Sequence, residues 1–183
     1  VFDGNNSRPY KETDLLYPLS VYGKTKREGE LAVINSKIDA IVIRTSWLFS
    51  SYGNNFVKTM IRLGINKKSI DVISDQIGSP TYARDLAKVC LDIILNSDIE
   101  KISNKGRVYH YSNEGVASWY DFAITVMELS GSNCKVKAVQ TMDYPTLAKR
   151  PKKTVMNKTK IKNRFLIKII PYRKSLKNLG ELF

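Results

Sequence analysis

The apolar positions along the chain change period several times. From Ser20 to about Asn35, Val21, Tyr22, Leu31, Val33 and Ile34 fall among charged residues, with Pro18 ahead of them as a boundary signal, and this predicts a helix. The run 39–47, DAIVIRTSW, has a continuous β-branched stretch and predicts a strand buried on both faces of a parallel sheet. In 54–66, Phe56, Met60, Ile61 and Leu63 recur at helical spacing, and 69–74 (SIDVIS) reads as a short strand. The Gly-Ser-Pro-Thr turn at 78–81 leads into Ala83, Leu86, Ala87, Cys90, Ile93 and Ile94 on one face, predicting a helix over 82–95. Further on come a strand at 107–112 and a helix over 118–131. Ser118 is that helix's N-cap, Asp121 its capping-box partner and Gly131 its stop. A strand at 135–140, a loop at 144–153 and a small amphipathic helix at 172–183 complete the pattern. Helix and strand alternate, as in α/β units.

Composition narrows the picture without changing it. The 183 residues are 43% hydrophobic, enough for one domain with a sizeable core. No run reaches the ~18 apolar residues of a membrane span and no leader pattern opens the chain, so the expected location is cytoplasmic, with no membrane partner. Cys90 and Cys134 are too few and too scattered for a disulfide framework or a metal site, and both read as free thiols. The sole histidine, His110, sits in the strand-like VYHY, where a packing or edge role outranks catalysis.

The net charge of +13 is uneven. Residues 1–148 carry a balance of +2, whereas 149–183 carry twelve Lys/Arg against the single Glu181, a balance of +11. That end also holds Phe165, Leu166, Ile167, Ile169, Ile170 and Tyr172, which a solvated basic arm does not need. A folded segment with a lysine-rich face is therefore expected, with an acidic-ligand surface as the alternative; nucleic acid is not the expected partner.

One short stretch carries candidate chemistry. In SVYGKTKREGE (20–30), Tyr22 and Lys26 are four residues apart and share a helical face. An ammonium beside a phenol favours the phenolate, so such a tyrosine can protonate a carbonyl oxygen while hydride reaches the carbon. Tyr-x-x-x-Lys also occurs by chance as an ordinary exposed pair, and spacing alone does not decide between the two.

The surrounding blocks add a resemblance. YPLSVYGKTKREGE resembles the catalytic helix of the extended short-chain dehydrogenase/reductases. VFDG at 1–4, RTSWLFSSYGNNFVKTM at 44–60, DQIGSPTYARDLA at 75–87, YHYSNEGVASWYDFA at 109–123 and KRP at 149–151 follow in the order seen in the dTDP-4-dehydrorhamnose reductase branch. The resemblance implies a Rossmann-like α/β fold: a remnant parallel sheet with flanking helices and the catalytic helix over 1–74, and mainly a substrate-binding region over 75–183, whose helix 82–95 returns to the sheet. It implies NADPH-dependent (or NADH-dependent) reduction of the 4-keto group of dTDP-4-dehydro-L-rhamnose. Tyr22 then matches the proton donor and Lys26 the lysine that holds the nicotinamide ribose. Thr45 and Ser46 match the segment beside the nicotinamide, Trp47 the residue closing over the hexose, and Arg150 a basic residue meeting the diphosphate.

The resemblance departs in three places, one of them RPKKTVMN at 150–157, where the family reads Arg-Pro-x-x-Ser-x-Leu-Asp. The ten glycines never form G-x-G-x-x-G or G-x-x-G-x-x-G, the turn that lets a backbone approach a pyrophosphate. The family's third catalytic residue, a Ser/Thr just upstream of VFDG, falls outside the chain. The expectation is therefore the C-terminal part of such an enzyme, inactive alone, binding no dinucleotide tightly, and self-associating as a homodimer or by edge pairing through uncovered surface. An epimerase or dehydratase of the same family, or a non-catalytic regulatory or polyanion-binding module, are the alternatives.

Overall fold

The computed structural model describes residues 1–36, 39–96, 107–144, 148 and 150–180. Ser20 caps helix α1 (Val21–Asn35), its Oγ accepting from the Gly23 N–H at 3.2 Å. Strand β1 (Val42–Arg44) follows, then β2 (Leu48–Phe49), α2 (Phe56–Asn66) capped by Asn55, and β3 (Ser69–Ile73). Two short strands, β4 (Ile77–Gly78) and β5 (Thr81–Tyr82), precede α3 (Ala83–Asn96). Next come β6 (Val108–His110), β7 (Ala117–Ser118), α4 (Trp119–Leu129) and β8 (Lys135–Val139), with α5 (Thr159–Phe165) and α6 (Tyr172–Lys177) last.

Among the described residues the strands pair two by two: β1 with β6, β2 with β5 and β3 with β8 in parallel, and β4 with β7 antiparallel. The β3–β8 register sets Ile70 beside Val136 and Val72 beside Ala138. Helices α2 and α4 close the larger core over β3, where Val57, Met60, Phe122, Ala123 and Val126 are buried. A second cluster sets Val89 and Ile93 of α3 and Ile161 of α5 against Tyr109 and Tyr111. A third, of Phe2, Tyr10 and Met156, closes the N-terminal loop, with the Phe2 and Tyr10 rings stacked at 4.1 Å.

The expected helices and strands are present, with differences at the edges. β1 is half-buried rather than enclosed on both faces, and among the described residues it pairs only with β6. The capping box of α4 is complete: Ser118 Oγ accepts from the Asp121 N–H, and Asp121 Oδ2 accepts from the Ser118 N–H. Gly131, at φ 62°, ends that helix with the Gly131 N–H donating to Glu128 O and the Ser132 N–H to Met127 O, the paired bonds of a left-handed C-cap. The last helix ends at Lys177, and residues 181–183 of its expected span lie outside the described residues. Helix α5, within the basic segment expected to be folded, has no counterpart in the periodicity reading. Among the described residues no helix is long and apolar enough to cross a membrane and no acidic, His or Cys group has the arrangement of a metal site. Cys90 and Cys134 are free thiols.

Candidate functional site

Helix α1 buries only Gly23 and Glu30. Tyr22, Lys26 and Glu30 recur every fourth residue, so they form one stripe, and the three do different things. Glu30 anchors the stripe: its Oε2 accepts from Arg44 Nε at 2.7 Å and its Oε1 from Arg44 Nη2 at 2.6 Å. The β1–β6 register places Arg44 beside His110, and Arg44 Nη1 lies 3.1 Å from His110 Nε2. Arginine only donates, so Nε2 is the acceptor and the ring proton sits on Nδ1, 3.2 Å from the Tyr10 carbonyl that accepts it. Burial, with the Arg44 charge next to it, lowers the His110 pKa to about 3, so the ring is neutral.

At the other end of the stripe Tyr22 is 72% exposed, and Lys26 Nζ lies 5.5 Å from its ring centroid. Tyr22 lines a cleft of about 450 Å³ with Thr45, Ser46, Trp47 and Arg150. Five of the six expected site residues thus meet at one cleft, and Lys26 stands beside Tyr22. Thr45 and Thr81 share a hydroxyl bond at 3.1 Å, and Ser46 Oγ donates to Ser79 O at 2.8 Å, which leaves the Ser46 oxygen's lone pairs to accept. Trp47 has φ 49°, and its indole stacks on Trp119 at 3.7 Å and 9°. A Cβ at Gly78 would lie 2.6 Å from the Trp47 indole, so only glycine lets that ring lie against β4.

A second cleft, of about 460 Å³, adjoins the first and shares Gln76, Trp119 and Arg150 with it. Its wall is apolar, from Met60, Leu63, Ile70 and Val72, with Tyr144 at the rim. Hydroxyls with a flat aromatic wall suit a sugar ring, an apolar slot suits a flat heterocycle, and a guanidinium at their border suits an anion.

Trp119 and Gln76 were not singled out from the sequence, and Arg44 only as the first residue of the segment matched to the nicotinamide side, although all three line the first cleft. Trp119 carried the only usable signal, an aromatic residue directly after the N-cap Ser118. The basic C-terminal segment is folded and partly consumes its own charge. Lys153 Nζ donates to Ser7 O, Lys160 Nζ to Val108 O, and Lys158 and Lys162 both pair with Glu114.

Residues 1–182 match the family described as the RmlD substrate binding domain. The dTDP-4-dehydrorhamnose reductase of Aggregatibacter actinomycetemcomitans is 44% identical over 185 residues, which cover 98% of this chain and 63% of that protein. The crystal structure of a dTDP-4-dehydrorhamnose reductase from Clostridium acetobutylicum superposes with a TM-score of 0.89 at 38% identity, covering 100% of this chain and 62% of that one. The Bacillus anthracis dTDP-4-dehydrorhamnose reductase, solved in complex with NADP, gives 0.84 at 34% identity, covering 98% and 61%. The chain therefore spans slightly under two thirds of the length of these relatives.

Proposed function

This chain belongs to the family of the RmlD substrate binding domain, and on that premise we propose that its paired clefts hold a dTDP-4-keto-hexose for reduction at C4. The observation that supports the reading is the convergence of Tyr22, Thr45, Ser46, Trp47 and Arg150 on one cleft. The hexose lies against the Trp47 indole, which excludes water from one face of the ring. Arg150, at the border of the two clefts, meets the diphosphate, and the apolar slot beyond it takes the base. Tyr22 delivers a proton from its hydroxyl to the keto oxygen, and the Lys26 ammonium stabilises the phenolate left behind.

The residues present fit the nicotinamide-ribose end of NADPH: a phenol and an ammonium on one stripe, with the Thr45 and Ser46 hydroxyls on the same cleft. When bound, NADPH supplies the hydride. The sequence contains no glycine-rich turn for its pyrophosphate. We therefore infer that this chain alone binds the dTDP-sugar but neither holds NADPH tightly nor turns over.

Isothermal titration with thymidine 5′-diphosphate and dTDP-L-rhamnose tests the reading. Saturable binding at or below about 1 mM is expected, weakened about tenfold by Arg150→Ala. No binding at that concentration refutes it. Micromolar NADPH affinity, read by fluorescence, would overturn the expectation for the cofactor.

A further inference from the structure

Gln76 stands at the border of the two clefts and lines both, together with Trp119 and Arg150. It is 3% exposed, so it presents only a small part of one side chain there. Its backbone is pinned on either side. The Ser74 N–H donates to Val139 O at 2.9 Å, and the Ile77 N–H donates to Lys152 O at 2.7 Å. The aromatic wall at the same border is held as well, with the Trp119 indole 3.7 Å from the Trp47 ring and 4.6 Å from the Phe56 ring.

A chain of hydrogen bonds decides which end of the amide is left free. Asp75 Oδ1 accepts from the Thr141 N–H at 2.9 Å and from Thr141 Oγ1 at 2.6 Å. Burial alone would raise the Asp75 pKa, but these bonds lower it, so the carboxylate is ionised and can only accept. The single hydroxyl proton of Thr141 is therefore committed to Asp75. Toward Gln76, 3.2 Å away, Thr141 Oγ1 can only accept, which sets Nε2 on that side and Oε1 on the other. Among the described residues nothing donates to Gln76 Oε1, and that oxygen is not enclosed. The small area that Gln76 exposes thus includes a carbonyl oxygen without a donor, and covering it without supplying one is costly.

On the function put forward above, the hexose takes one cleft and the base the other, so the parts that join them cross this border. Those parts are the diphosphate and the deoxyribose. The diphosphate and ring oxygens accept; the 3′-hydroxyl is the one donor of the joining portion. We propose that Gln76 is a specificity-determining residue whose Oε1 accepts from the 3′-hydroxyl of the ligand's deoxyribose, which selects nucleotides with that hydroxyl free. The proposal rests on the function put forward above, and the test separates the two.

Thymidine 5′-diphosphate and 3′-deoxythymidine 5′-diphosphate are titrated into the unmodified chain and into Gln76→Met, which keeps the side-chain length and removes the amide. The unmodified chain should bind the 3′-deoxy analogue about tenfold more weakly, because Oε1 is then covered without a donor. Gln76→Met should lose about tenfold in affinity for thymidine 5′-diphosphate and hold the two ligands within about twofold of each other. Equal affinities in the unmodified chain overturn the proposal and leave the substrate reading intact. A preference for the 3′-hydroxyl that survives in Gln76→Met also overturns it, since another group then reads that hydroxyl. Absence of thymidine 5′-diphosphate binding by the unmodified chain overturns both. Thermal unfolding checks that the variant is folded. Should it not fold, or bind too weakly for comparison, the side-chain amide resonances of the isotopically labelled unmodified chain decide the matter. Gln76 and Gln140 are the only glutamines, and Gln140→Ser tells their signals apart. At saturation the Gln76 signal should move further with thymidine 5′-diphosphate than with the 3′-deoxy analogue, and an equal response to both overturns the proposal.

Discussion

Replacing Glu30 by alanine is expected to destabilise the protein far more than its place on a helix full of charges suggests. The Glu30 and Arg44 side chains are 7% and 9% exposed, and their contact is bidentate at 2.6 and 2.7 Å. Truncation at Glu30 leaves a guanidinium shut in with the Phe2 ring, 5.4 Å from its carbon, and with a neutral imidazole that offers one lone pair. Breaking a buried pair from one side costs about 3–5 kcal/mol, against under about 1 kcal/mol for an exposed pair. For a domain of this size each kcal/mol moves Tm by about 2–4 °C, so Glu30→Ala should lower Tm by roughly 10 °C. Urea unfolding followed by tryptophan fluorescence measures the loss directly, since Trp47 and Trp119 are stacked only in the folded chain. Glu30→Leu combined with Arg44→Met should recover most of it, because the stranded charge is gone. A loss below about 1 kcal/mol for Glu30→Ala, with the m-value unchanged, would refute the assignment of this pair as buried and structural.

Asn113, fully buried, accepts from the Tyr82 N–H at 2.7 Å and donates to Asp85 Oδ2 at 2.6 Å and to Ile170 O at 3.0 Å; Asn113→Ala should cost about 3 kcal/mol in urea unfolding by stranding these groups. His110 has a native pKa of about 3 against an unfolded value near 6.5, so between those values the unfolded chain binds a proton that the native one does not. Stability should therefore fall by about 1.5 kcal/mol as pH drops from 6.5 to 5, a slope that urea titrations of His110→Gln should lack, since the chain has no other histidine. Gly78→Ala should force the Trp47 indole off its seat, shifting the tryptophan emission and weakening thymidine diphosphate-hexose binding more than thymidine diphosphate binding; equal losses for the two ligands would argue against a sugar-facing Trp47.

The elements that could be read from the chain are those long enough to show a period. The helix beginning at Ser20, the strand at 69–73 and the capped helix after Ser118 each run for several residues of consistent pattern. The two-residue strands at Ile77, Thr81 and Ala117 have no period to detect; tertiary pairing alone defines them. Helix α5 was hidden for another reason. TKIKNRF carries three cations in seven residues, and only Ile161 and Phe165, four residues apart, mark its inner face. Its lysines are drawn inward by partners that lie far off in sequence: Glu114 for Lys158 and Lys162, and the Val108 carbonyl for Lys160. A count of charges cannot show where a lysine's partner is.

The same limit explains what was legible of the site. Tyr22 and Lys26 stand out because they are local, one helical turn apart. Glu30, one turn further along the same stripe, reads as a third surface charge, because its partner Arg44 lies beyond a loop and its partner's partner, His110, lies 66 residues further on. Yet these three fix the depth of the helix against β1, and β1 runs directly into Thr45, Ser46 and Trp47. The stripe therefore has an anchored end and an exposed end, about two helical turns apart. A charge buried at one end holds the helix still, and a phenol left 72% exposed at the other stays open to a ligand in the cleft. On the function proposed for the cleft, proton delivery by Tyr22 then depends on Glu30 through geometry alone, since a helix tilted at its anchor moves the phenol relative to Ser46 without changing any residue that lines the cleft.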